Sequence, residues 1–140
     1  MPPDDRVLWV VREWIGKAEG DFVAAKLLLS VRQSCPTEAV CFHAQQCVEK
    51  YAKAVLVLFQ IDVPKTHDLE RLASLLPRGV PMALSAVERI ELTQHGVASR
   101  YPGAGAVPFA EARRALSKAR MAFRSSLPLA AKRRALIGAR

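Results

Sequence analysis

The segment FHAQQCVEKYAKAVL, residues 42–56, gathers an imidazole, an amide, a carboxylate and two ammonium groups: His43, Gln46, Glu49, Lys50 and Lys53. Such groups bind protons, phosphates or amides when they converge. At about 100° per residue on a helix, the five fall within an arc of about 120°. Cys47, Tyr51, Ala44, Val55 and Val48 take the opposite side. The plain alternative to a site is a solvated stripe in which Glu49 and Lys53 make an i,i+4 pair. Phe42, Leu56 and Val57 lie within or beside that stripe, and apolar residues there call for a cover, either another helix or a second subunit.

Three further groupings can meet anions. Thr66-His67-Asp68 opens a helix, whose free amide hydrogens favour negative charge, and Lys65 stands beside it. Arg100-Tyr101 can clamp a phosphate and stack a base, or Tyr101 can anchor its loop on the bundle. In the last helical stretch Arg113, Ser117, Arg120 and Arg124 share one side, while Ala112, Leu116, Ala119 and Phe123 share another. That arginine row is a solvated face or a track for RNA phosphates. Cys35, Cys41 and Cys47 are odd in number and form no CxxC pair. They argue for reduced structural thiols and against a disulfide framework or a zinc site. No metal and no cofactor is expected.

These residues need a scaffold, and the composition supplies a globular one. Hydrophobic content is 51% and charged content 24% over 140 residues, which suits one domain. The longest apolar runs, such as 54–59, are too short to span a bilayer, and the N-terminus lacks a signal-peptide pattern. A cytoplasmic protein without membrane contact is the expectation. The formal charge is +8. Residues 100–140 hold ten Lys/Arg and one acid, a net +9, and residues 1–99 hold eleven bases and twelve acids, a net −1. The basic excess of the C-terminal third suits a polyanion or an acidic partner, or serves as a solubilising face.

The periodicity is helical throughout. Val7, Val11, Trp14, Ala18, Phe22, Ala25 and Leu29 predict a first helix from a cap at Asp4 or Asp5 to about Gln33. Pro36 opens a second that runs to about Phe59. Thr66 is a candidate cap for a short third helix through Leu69, Leu72 and Leu76. Pro81 opens a fourth that reaches about His95-Gly96, SRYPGAGAVP is a loop, and a last helix covers about 109–126. The expected fold is all-α, an up-and-down antiparallel bundle of about five helices over residues 1–127, with a basic tail over 128–140.

The stretch CFHAQQCVEKYAKAVLVLFQIDVPKTHDLERLASLL resembles the HEPN domain (higher eukaryotes and prokaryotes nucleotide-binding). The pattern is an aromatic, Ala-Gln-Gln, an apolar residue with Glu-Lys, a further Lys, a loop and Thr-His-Asp-Leu. Trp14, Ala18 and Asp21 fit it, as does SRYPG, so that the resemblance covers about residues 10–125. It implies a helical bundle, usually a homodimer, often paired with a minimal nucleotidyltransferase in a toxin–antitoxin or related system. Many other relatives are metal-independent ribonucleases, in which an Arg and a His four to six residues on face their copies across the dimer. Arg89 and His95 match that spacing, with His95 as base and Arg89 on the phosphate, and Gly96 would end the helix there. Ile90 departs from the polar residue that follows the Arg in active members. Six residues on a helix also place the two side chains about 240° apart. The expected function is therefore a nucleotide- or RNA-binding module, with a ribonuclease toxin and a purely structural dimer as alternatives.

Overall fold

The protein's structure is a computed structural model that describes residues 3–31, 33–98, 101–103 and 105–123. Five helices follow one another: α1 (Asp5–Ser30), α2 (Thr37–Leu58), α3 (Leu69–Leu75), α4 (Ala86–Ala98) and α5 (Phe109–Ala122). Among the described residues there is no strand, and the fold is the expected all-α bundle. The tail beyond residue 123 lies outside the described residues.

Side-chain caps mark where α1, α3 and α4 begin, while Pro36 and Pro108 precede α2 and α5 without one. Asp4 Oδ1 accepts the Val7 N–H at 3.0 Å and starts α1. α1 stops at Ser30, short of Gln33, and Ser34 beyond it takes a left-handed φ of 57°. α2 closes with Gln60 in the left-handed region, where the Gln60 N–H reaches the Val57 carbonyl and the Ile61 N–H reaches that of Leu56. This is a Schellman turn with Gln where Gly is usual. Asp68, rather than Thr66, caps α3 by accepting the Glu70 N–H, while the Thr66 hydroxyl accepts that of Asp68.

α4 begins later than Pro81 suggests. Ser85 and Glu88 form a reciprocal capping box: the Glu88 carboxylate accepts the Ser85 N–H at 2.9 Å and the Ser85 hydroxyl accepts the Glu88 N–H at 3.2 Å. Residues 80–84 instead run along the core, burying Val80, Met82 and Leu84, and the Ala83 N–H bonds the Ala122 carbonyl at the end of α5. α4 also passes through Gly96 to Ala98, so that glycine does not end it.

α2 is the central helix. α1 packs along most of its length, and α5, α4 and α3 take its other sides. Small buried residues, Ala18 and Ala25 on α1 and Ala44 and Cys47 on α2, suit a close approach of the two helices. Leu56, Leu69, Leu72, Leu92 and Leu116 fill the rest of the core. The consequence for residues 42–56 is a correction: the polar arc of α2 is not a solvated stripe. Glu49 is 3% exposed and Lys53 7%. Leu56, beside that arc, is fully covered within its own chain. A helical wheel reports faces but not how many neighbours surround a helix.

Candidate functional site

The polar arc of α2 divides into two linked clusters. On the side facing α1, the Asp21 carboxylate accepts the His43 Nδ1–H at 2.8 Å and the Lys50 ammonium at 2.5 Å. Because a carboxylate can only accept, His43 carries its proton on Nδ1, and Nε2 points away from the pair. Asp21 is buried while both partners remain partly exposed.

The second cluster centres on Glu49. Its carboxylate accepts Lys53 Nζ at 2.8 Å, Gln45 Nε2 at 3.0 Å, Gln46 Nε2 at 3.2 Å and His67 Nδ1 at 3.0 Å. Gln46 also donates to Gln45 Oε1, and Gln45 to the His67 carbonyl. Burial pushes the Glu49 carboxyl up, but the hydrogen bonds from Lys53, Gln45 and His67, with the Lys53 charge, outweigh it and hold it below its ordinary value. Lys53 lies over the Trp14 ring at 5.5 Å, so α1 closes the seam. His67 seals the other edge, with its own side chain more than half exposed. Lys65 is exposed on the preceding loop. The sequence reading names His43, Gln46, Glu49, Lys50, Lys53 and His67, and the structure brings all six into these two clusters. It misses Gln45, which is fully buried and holds the centre of the second.

Arg89 and His95 do not converge. Arg89 Nε donates to the Glu70 carboxylate of α3, and its Nη1 donates to the Leu84 carbonyl at 2.6 Å. His95 faces α5, with Nε2 3.3 Å from Glu111 Oε1. Burial lowers the His95 pKa below its ordinary value despite Glu111. His95 and Glu111 line a cleft of about 600 Å³, together with Gln94, Arg114, Lys118 and the loop at 105–107. Lys118 Nζ bonds Glu91 at 2.9 Å across it. Glu111, Arg114 and Lys118 went unnoticed in the sequence, although their i, i+3, i+7 spacing on one side of α5 was the available signal.

The outward row of α5 holds Arg113 and Arg120 exposed, each laid over an aromatic ring: Arg113 over Phe109 at 5.2 Å and Arg120 over Phe22 at 5.6 Å. Tyr101 is 67% exposed and is not packed into the bundle. Arg100 and Arg124 lie outside the described residues. Among the described residues no group of three or more His, Cys, Asp or Glu could hold a metal ion, and no helix is long and apolar enough to cross a membrane.

The family model of the HEPN domain matches residues 11–127. No curated protein and no solved structure matches the chain. The family match spans most of the sequence and takes in every helix from within α1 to the end of α5, so this chain belongs to the HEPN domain family.

Proposed function

We propose that this HEPN domain is a nucleotide- and RNA-binding module that acts in the cytoplasm as a homodimer beside a minimal nucleotidyltransferase. The observation that carries RNA binding is the α5 row. Arg113 and Arg120 stand seven residues apart on one side of the helix, exposed, with their guanidinium groups held against Phe109 and Phe22. A guanidinium stacked on a ring loses little further freedom when its edge meets a phosphate. The net +9 of residues 100–140 adds a field that draws a polyanion to the same end of the chain. The nucleotidyltransferase partner rests on the family resemblance, and co-purification with the product of an adjacent reading frame would support it.

Anisotropy of a labelled single-stranded RNA tests the binding reading. Affinity should fall steeply with salt, and Arg113→Glu with Arg120→Glu should weaken it about tenfold or more. Two lost phosphate contacts should also flatten the log–log salt slope by about 1.4. Unchanged affinity in that folded double variant would return the row to a solvated face.

A further inference from the structure

We propose that the cleft between α4 and α5 holds a guanine base, so that RNA bound along the arginine row is read at a guanosine. The inference rests on the RNA-binding reading above and adds the base that the row cannot specify. α4 and α5 are bridged at two levels, by Lys118 Nζ to Glu91 at 2.9 Å and by His95 Nε2 to Glu111 Oε1 at 3.3 Å. Arg114 stands between Glu111 and Lys118 on α5, and all of these line the cleft of about 600 Å³. That volume is within the range of small-ligand sites.

The charges of the lining disfavour a phosphate and suit a base. Glu38, Glu91 and Glu111 set three carboxylates against the two cations Arg114 and Lys118. Burial favours neutral His95, so the imidazole adds no third cation. A phosphodiester offers only acceptors and a negative charge, and it meets net repulsion there. A ligand for this lining needs donors and acceptors side by side.

Glu111 and Arg114 are i,i+3 neighbours and present a carboxylate beside a guanidinium. Glu111 Oε2 has no partner among the described residues, and its Oε1 has a second lone pair to offer. Arg114 is exposed and makes no hydrogen bond or ion pair among the described residues. Guanine matches this pair. Its adjacent N1–H and N2–H donors fit the two oxygens of one carboxylate, and its O6 and N7 acceptors beside them fit a guanidinium. Adenine and cytosine would turn a ring-nitrogen lone pair toward the carboxylate, and uracil flanks its one N–H with carbonyls. Around α5, Ser117 lies between Arg114 and the side that carries Arg113 and Arg120. Phosphates on the row and a base in the cleft can therefore belong to one strand.

Anisotropy with three labelled oligoadenylates tests this, one unchanged, one with a single central guanosine and one with inosine there. Inosine keeps N1–H, O6 and N7 and lacks only the N2 amino group, so this comparison needs no variant to fold. Guanosine should tighten binding about tenfold over adenosine, and inosine should recover only part of that gain. Glu111→Gln and Arg114→Met should each bring the guanosine-to-adenosine ratio toward one. Arg113→Glu with Arg120→Glu should weaken all three RNAs alike. Guanosine monophosphate brings the base without the strand and should bind far more weakly than the guanosine RNA. Tighter binding of the mononucleotide than of the RNA would assign the cleft to a free nucleotide and overturn the reading of a strand. Equal affinity for the three RNAs would overturn the guanine assignment and leave the RNA-binding reading standing. No binding of any RNA by the wild type would overturn both.

Discussion

Glu49 is a carboxylate that the fold has taken almost wholly out of water and then surrounded with donors. Four side chains reach it, one of them the buried ammonium of Lys53. Removing the carboxylate leaves that ammonium without its counter-charge in the interior, which costs about 3–5 kcal/mol. Glu49→Gln should lose stability of that order in urea unfolding at pH 7. The pH dependence has a fixed sign. The folded pKa of Glu49 lies below its ordinary value near 4.5, so the stability it contributes is present above that value and is lost as pH falls through the folded pKa. The gap between wild type and Glu49→Gln should therefore stay constant from pH 7 to about 5 and shrink below it. A gap under 1 kcal/mol, or one that ignores acidification, would show that the network is incidental. The thiols follow a simpler rule. Burial raises both Cys41 and Cys47 to about 12, so neither supplies thiolate at neutral pH.

At the scale of the element, the contact that sets α4 on α2 is Gly96 against Gln45. A Cβ at position 96 would stand 2.6 Å from Gln45 Cδ and Oε1. Gln45 cannot simply swing aside, since it is fully buried and donates to both Glu49 and the His67 carbonyl. Gly96→Ala should cost about 1–3 kcal/mol by overpacking. Adding Gln45→Ala should recover part of the packing loss while forfeiting the hydrogen bonds, so the two changes should be measurably non-additive in thermal unfolding. Strict additivity would mean that the helices do not meet there. This pair also marks the limit of what the sequence discloses. Periodicity and prolines locate all five helices, because those signals are local. A glycine near the end of a periodic stretch reads equally as a stop or as a close approach, and only the residue across from it decides. The start of α4 was legible in Ser85 and Glu88, but Pro81 offered a louder signal. The polar arc of α2 reads as solvated because burial depends on what α1, α3 and α4 bring to it, which no single segment encodes.

The whole molecule decides whether Arg89 and His95 can act together. Within one chain they cannot. α4 is continuous from Ala86 to Ala98, so nothing between them bends one toward the other. Arg89 is fastened to Glu70 and to the Leu84 carbonyl on the α3 side, while His95 turns to Glu111 in the cleft against α5. The imidazole itself is suited to act as a base, since burial favours its neutral form; what it lacks is the guanidinium. A second copy would have to supply it, which requires the two α4 helices to face each other. α1 meets α2 at His43 and Lys50, and α4 meets it at Gln45, positions about 140–160° apart around the central helix, so α1 and α4 lie on opposite sides of it. Purified protein should show no RNA cleavage above background in the presence of chelator, and His95→Ala should leave that background unchanged. Cleavage in chelator that both His95→Ala and Arg89→Ala abolish, in variants shown to be folded, would require opposed α4 helices. It would make this chain a ribonuclease with a site composed from two copies.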